Sequence, residues 1–306
     1  MVEVNQAKFG LSTAQWAITE KDVSLVGNWR YRLSAPLSAP ITGDIPVLKN
    51  PRPDDFPSCL YNGRIHPLLP MVIKGAIWYQ GEAKAKSFAD ALAYRQVFAD
   101  MIRDWRLRWA HELPFYFVQL ANFSARVPAC EAPCEQTWPY LRESQAAAPD
   151  LPSTGMAVII NVGNPNDIHP KDKQSVGDRL ARVALARTYG QKRVYSGPQY
   201  EGHAAPGSEM VIRFAHTGGG LVARDRHSYV RGFQIAGADG IFHWAQAQIE
   251  GETVVVHSPA VSQPAAVRYA WENHPPGANL YNAEGLPAVP FRTDDWDPEY
   301  PTLLRP

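Results

Sequence analysis

Three apolar runs of strand length, "MVIKGAIWY" (71–79), "LPFYFVQLA" (113–121) and "TGMAVIINVG" (154–163), constrain this chain more than any other feature. They are apolar on both faces instead of alternating, the pattern of strands covered on two sides. Between the first two, Phe88, Ala91, Leu92, Phe98, Met101, Ile102, Trp105 and Trp109 recur at three- and four-residue spacing, which predicts an amphipathic helix. After the third, Val176, Leu180, Val183 and Ala184 repeat that pattern, with Gly190 as the expected stop. Strand, helix, strand, then strand and helix predicts an α/β fold, a parallel sheet with helices on both faces.

The pattern sets the domain boundaries. The α/β domain is expected over 49–198. From about 199 the helical periodicity ends, and "EMVIRFAH", "GLVARD", "VRGFQIAG", "FHWAQAQIEG" and "ETVVVHS" follow one another between Gly-rich turns. They predict a small β-sandwich over 199–306. Residues 1–48, with short alternating stretches such as "VSLVGNWRYRL" and a Pro-rich linker, read as a β-rich remnant too small to be a domain. Proline clusters at 36–57, 128–152 and 259–290 are expected to be loops and connections.

Composition excludes several classes. The 30 basic residues balance the 30 acidic ones, with no basic stripe for nucleic acid and no acidic tail. No run of eighteen apolar residues exists, so no membrane partner is expected. "MVEVNQAKFG" lacks the charged and apolar regions of a signal peptide. The nine Trp and thirteen Tyr read as packing residues before sugar-stacking platforms. Cys130 and Cys134 lie four apart in "PACEAPC" and Cys59 is remote, so no metal site is expected. A local disulfide and three free thiols both remain open.

In an open α/β sheet, ligands bind beyond the carboxyl ends of the strands. The first run ends at Gln80, Gly81 and Glu82, and the third leads into "NVGNPNDIHPKDK", which puts Asp167 and His169 on the same rim. A Gln amide can donate to an oxygen that becomes negative in a transition state, and a Gly beside it lets a backbone N–H come close. A His preceded by an Asp can act as general base, with the carboxylate fixing its tautomer. Each signal has a bland alternative: a loop histidine, or a strand-end turn with Glu82 capping the next helix. Together on one rim they favour acyl-transfer hydrolysis.

Five blocks, "LYNGRIHPLLP…IKGAIWYQGEAKA", "DWRLRW…LPFYFVQLANF", "LRESQ", "DIHPKDKQSVGDRLARVAL" and "NLYNAEGLPAVPFRTD", occur in that order within about residues 24 to 296. The whole resembles the sialate O-acetylesterase family of SGNH-type esterases. The resemblance implies a partial, flavodoxin-like SGNH-hydrolase sheet and a carbohydrate esterase without cofactor. Its implied substrate is an acetylated sugar, sialic acid or a xylan-derived glycan, and its implied compartment is secreted or periplasmic. It makes Gln80 and Gly81 oxyanion-hole members, Glu82 the loop anchor, His169 the base and Asp167 its orienting carboxylate. Asn62 and Gly63 of "LYNG" would line the pocket.

The chain also departs from the family. No "GQSNM"-type nucleophile block occurs, and Ser12, Ser24, Ser34, Ser38 and Ser58 all lack its flanks. Ala83 and Lys84 replace a usual Ser-Asn pair, and Asn161 and Asn164 stand where Asp is common. The chain is therefore expected to be a C-terminal portion of a longer esterase, with the missing N-terminal half as a further partner. The rival expectations are an inactive carbohydrate-binding protein of the same descent and an acetylxylan esterase-like activity. Many SGNH enzymes place the acid three residues before the His, where this chain has Asn166. Asp167 is accordingly the expected partner, within hydrogen-bond reach of His169 Nδ1.

Overall fold

Strand β4 (Phe115–Val118) explains why the central apolar run does not alternate: it is covered on both sides. Phe115 and Phe117 enter one cluster with Ala91, Tyr94, Phe98 and Ile102, while Tyr116 and Val118 enter another with Val176, Leu180 and Val183. In this computed structural model the described residues are 58–69, 71–123, 132–225 and 229–298. Two two-residue strands that pair antiparallel, β1 (Thr19–Glu20) and β2 (Val23–Ser24), are described as well. The remaining expectations for 1–48, the proline cluster at 36–57 and the state of Cys130 lie outside the described residues. The chain divides into two compact units, Met1–Leu60 and Tyr61–Pro306.

In the second unit β3 (Ala76–Trp78), β4 and β5 (Thr154–Ala157) form a parallel sheet in that order. The strands are shorter than the apolar runs that announce them, because each run continues past the sheet into a loop at its carboxyl end. Helix α1 (Phe88–Trp109) starts at Ser87, whose side chain accepts from Asp90 N, and ends at Ala110 in the left-handed conformation. Its buried stripe keeps Ala91, Phe98 and Ile102 but adds Tyr94 and leaves the expected Leu92 exposed.

Helix α2 (Thr137–Ala146) falls inside the Pro-rich stretch expected to be loop. Pro139 occupies its first turn, where the backbone N–H has no intrahelical acceptor, so the proline costs no bond. The third proline cluster likewise contains two strands, Ala266–Tyr269 and Leu280–Asn282, between its prolines. Helix α3 (Lys173–Arg187), capped by Asp172, buries Val176, Leu180 and Val183 as the spacing predicts.

The rest is antiparallel. The strands are β6 (Gln199–Ala204), β7 (Glu209–Ala215), β8 (Leu221–Ala223), β9 (Phe233–Ala236), β10 (Phe242–Trp244) and β11 (Gln246–Glu250). They continue with β12 (Thr253–His257), β13 (Ala266–Tyr269), β14 (Leu280–Asn282) and β15 (Phe291–Arg292). They form sheets β10-β9-β13-β15 and β11-β12-β7-β6 and the pair β14-β8. Met210, Ile212, Val254 and Val256 of one sheet meet Phe233, Ile235, Val267 and Tyr269 of the other in one core.

Helix α2 joins this β-rich part to the parallel sheet. Arg142, 0% exposed, donates to Leu120 O (3.0 Å) and Ala121 O (3.0 Å) beyond β4. It also donates to Glu272 O (2.7 Å) and Asn273 O (2.8 Å) beyond β13. Asn273 Oδ1 accepts from Trp138 N at 3.1 Å, and Arg292 grips Glu143 with bonds of 2.8 and 3.0 Å. Burial pushes the Arg142 guanidinium down to about 9, still protonated at neutral pH. Burial also pushes the Glu272 carboxyl up to about 7, against the pull of Arg142.

Two outcomes follow. Arg142→Met leaves the carbonyls of Leu120, Ala121 and Glu272 without their donor, Asn273 O keeping only Phe123 N, and should cost at least ~3 kcal/mol in denaturant unfolding. Glu272 binds its proton more tightly folded than unfolded, so its contribution to stability falls as pH rises from 4.5 through about 7. Glu272→Gln should therefore raise Tm by ~2–4 °C at pH 8 and leave it nearly unchanged at pH 4, as thermal melts would show.

Candidate active site

Because β3, β4 and β5 run parallel, their carboxyl ends open on one rim, built from residues 79–82, 119–123 and 158–169. On the β3 side, Gly81 has φ +151°, and a Cβ there would stand 3.0 Å from Leu141 Cδ2 and 3.2 Å from Gln145 Nε2. That conformation favours glycine, and a side chain would also have to push both neighbours aside by a few tenths of an ångström. Gln80 is held beside it. Its main-chain oxygen accepts from Gln145 Nε2 at 3.2 Å, and the single Tyr94 hydroxyl proton is shared between that oxygen (3.2 Å) and Gln80 Oε1 (3.0 Å). With Oε1 engaged, the amide presents Nε2 as the donor for a ligand.

Burial, and then the charge of Glu82, push Tyr94 and Tyr79 up to about 12, so both phenols stay protonated as donors. Glu82 opens a short 3-10 turn, Glu82–Lys84, and lies close enough to both rings to act on them. The cap of α1 is Ser87 and not Glu82.

The middle of the rim is held by side chains that donate to, and accept from, main chain. Gln119 Nε2 donates to Arg142 O at 3.0 Å, and Leu120 N donates to Gln145 Oε1 at 2.9 Å. Phe123 N donates to Asn273 O at 3.0 Å. Asn122 Oδ1 accepts from Gly163 N at 2.7 Å, and Asn122 Nδ2 meets His274 Nδ1 at 2.6 Å.

The β5 loop is fastened at three points before it reaches His169. Arg179 donates to Val158 O (2.6 Å) and Asn161 Oδ1 (2.8 Å), Gly163 is held by Asn122, and Ile168 packs against the core beside β3. Lys173, four residues beyond His169, sets its Nζ 5.0 Å over the ring of Tyr79, the neighbour of Gln80. The loop after β5 and the loop after β3 therefore meet. The His169 side chain is 87% exposed.

The expected Asp167–His169 ring bond is not formed. Asp167 Oδ1 accepts from the His169 backbone N at 2.9 Å, and the same oxygen stands 3.7 Å from Nδ1. The two-residue spacing gives an Asx turn, in which the side chain bonds the amide two residues on. Asn166 offers its own backbone N to Asn164 Oδ1 at 2.8 Å, so it is a member of the same turn.

The structure thus brings Gln80, Gly81, Glu82, Asp167 and His169 to one rim. It does not bring Asn62 and Gly63 there. They sit on an exposed π-helical turn, Tyr61–Ile65, whose Tyr61 ring lies 4.4 Å beneath Arg108, at the end of α1 away from the rim. Arg142, Gln145, Asn122 and His274 escaped the sequence reading of the site. The one signal for the first two was the polar content of "LRESQ" within a ten-residue helix that is mostly buried. Cys134 is disulfide-bonded and Cys59 is a free thiol, which settles the open alternative against three free thiols.

Residues 60–186 match the family of carbohydrate esterases described as sialic acid-specific acetylesterases. The chain is 30% identical over 262 residues to the sialate O-acetylesterase of Mus musculus, across 76% of this chain and 47% of that protein. It is 28% identical over 323 residues to the Homo sapiens sialate O-acetylesterase, across 94% of this chain and 57% of that one. Among solved structures, a carbohydrate acetylesterase from Xanthomonas citri superposes with a TM-score of 0.73 and 49% identity, covering 78% of this chain and 54% of that one. The chain spans about half the length of the relatives it matches. On these matches, and on a rim that carries the "YQGE" and "DIHP" segments, residues 60–186 of the chain belong to the sialic acid-specific acetylesterase family of carbohydrate esterases.

Proposed function

We propose that this chain supplies the base and the oxyanion donors of a carbohydrate O-acetylesterase built on a flavodoxin-like SGNH sheet, with acetylated sialic acid as substrate. One observation carries the reading: parallel pairing sets Gln80–Gly81 and the His169 loop on the same rim, with Lys173 touching Tyr79 between them. His169 would take the proton of a nucleophilic serine hydroxyl as it attacks the acetyl carbonyl. It would then return that proton to the sugar oxygen as the ester bond breaks. The Gln80 amide and the Gly81 N–H would donate to the carbonyl oxygen while it is negative. Asp167 would hold the turn that carries His169, its carboxylate accepting from the His169 backbone N–H and standing 3.7 Å from Nδ1 of the ring.

The 306 residues hold no "GQSNM"-type serine, so this reading needs a nucleophile brought to the rim from a further part of the fold. The edge of the sheet supports that. Among the described strands β3 pairs with β4 alone, and its Ile77 is 70% exposed, with Met71 and Val72 exposed just before it. Parallel strands are normally covered on both faces, so an apolar edge of this kind fits a neighbouring strand of the same sheet. Secretion or a periplasmic location remains part of the proposal through the family alone.

Alone, the chain should hydrolyse aryl acetates no faster than its His169→Ala variant. A fluorophosphonate adduct on one of its own serines, with sustained turnover, would overturn the need for an outside nucleophile. A chimera joining this chain to the part of the Xanthomonas relative that it does not match should release acetate from 9-O-acetylated sialic acid. His169→Ala in that chimera should lower kcat at least ~10³-fold, and an unchanged kcat would remove His169 from the mechanism. The open β3 edge should also show as concentration-dependent self-association in light scattering, whereas a monodisperse monomer would count against it.

A further inference from the structure

The hydrogen bonds around Asn122 have only one consistent assignment. The Gly163 N–H can only donate, so the Asn122 atom 2.7 Å away is the amide oxygen. The other end of that amide is then an NH2 group, which can only donate, and it stands 2.6 Å from His274 Nδ1. Nδ1 must therefore accept. His274 is neutral, with its proton on Nε2.

The chain of contacts reaches the His169 loop. His274 lies beyond β13, Asn122 beyond β4, and Gly163 beyond β5, six residues before His169. Gly163 and Asn122 are in backbone contact, since a Cβ on Gly163 would overlap the main-chain oxygen of Asn122. Of the charged groups around His274, Arg142 of α2 acts on the ring, and the Arg142 guanidinium bonds the neighbouring Asn273 carbonyl. Glu272, two residues earlier on the same loop, is the other titratable group of the segment. Burial and the Arg142 charge both oppose protonation of His274.

We infer that His274 is a positioning residue for the loop that carries Asp167 and His169, acting through Asn122 and Gly163. Its functional meaning rests on the esterase reading; the hydrogen-bond assignment does not. Protonation at Nδ1 would set an N–H against the Asn122 NH2 group. Turning the amide over relieves that clash but then sets NH2 against the Gly163 N–H. Either way one of the two bonds is lost, and the tie of Gly163 to the β4 rim is weakened while Arg179 and Ile168 still hold the rest of the loop. Neutral His274 thus steadies the Gly163 tie, and acid loosens it.

The test uses the 15N-labelled full chain and no ester hydrolysis, so its failure and failure of the esterase reading are distinguishable. Long-range 15N–1H correlation of the His274 ring should show Nε2–H and an unprotonated Nδ1 at pH 7.5, with a titration midpoint below the ordinary histidine value. Over the same titration, exchange of the Gly163 amide, corrected for its intrinsic pH dependence, should lose ~tenfold protection. His274→Gln, which can offer an acceptor that does not titrate, should keep Gly163 protected and abolish the pH step. A proton on Nδ1 at pH 7.5, or Gly163 protection that stays flat while His274 titrates, would overturn the inference. A pH step that survives in His274→Gln would overturn it equally.

Discussion

Arg142 is a buried cation that meets main-chain carbonyls where a carboxylate partner would be usual. Its four donated bonds close on Leu120, Ala121, Glu272 and Asn273, so one side chain ties the end of a parallel strand to a loop of the antiparallel sheets. A loop carbonyl inside the protein needs a donor, and of these four only Asn273 O also meets a backbone N–H, that of Phe123. The guanidinium is the group that can serve several carbonyls from one point, because its donors spread in a planar fork. The rim is as well defined as that side chain is.

The other residues of "LRESQ" divide the same task. Glu143 holds Arg292, Ser144 donates to Ala91 O of α1 at 2.7 Å, and Gln145 bridges Leu120 N and Gln80 O. Four consecutive side chains therefore fasten α2 to the β4 rim, the β-rich part, α1 and the β3 rim. This is why Gln80 and Gly81 can present donors from irregular backbone without drifting. A site on loops acquires precision when the loops are bonded to rigid elements at several points.

Much of the fold was legible because it rests on apolar patterning. The two-sided run at 113–121 announced β4 and its two cores, and the spacing of Val176, Leu180 and Val183 announced α3. The misses have physical causes. Strand ends were overrun because rim residues such as Leu120 and Ile159 are as apolar as strand residues, and α2 was hidden because Pro139 sits in a first turn where proline is harmless. Tyr94 took the inward place expected of Leu92 because its hydroxyl reaches Gln80. On the rim, "YQGE" and "DIHP" were legible as chemistry at strand ends. Asp167 was misread in geometry, since two-residue spacing favours the backbone amide over the ring. Arg142, Asn122 and His274 were illegible because most of their partners are backbone atoms or lie far along the chain, and no spacing encodes those.

The central claim is that Gln80 and His169 belong to one site on one rim. Chemical-shift mapping of the 15N-labelled chain with 9-O-acetylated sialic acid tests this most directly. The account predicts that the side-chain amide of Gln80, the amide of Gly81 and the ring of His169 shift together along one binding curve, with the strands β6, β7 and β12 unmoved. Shifts confined to the antiparallel sheets, or Gln80 and His169 responding with different affinities, would contradict it.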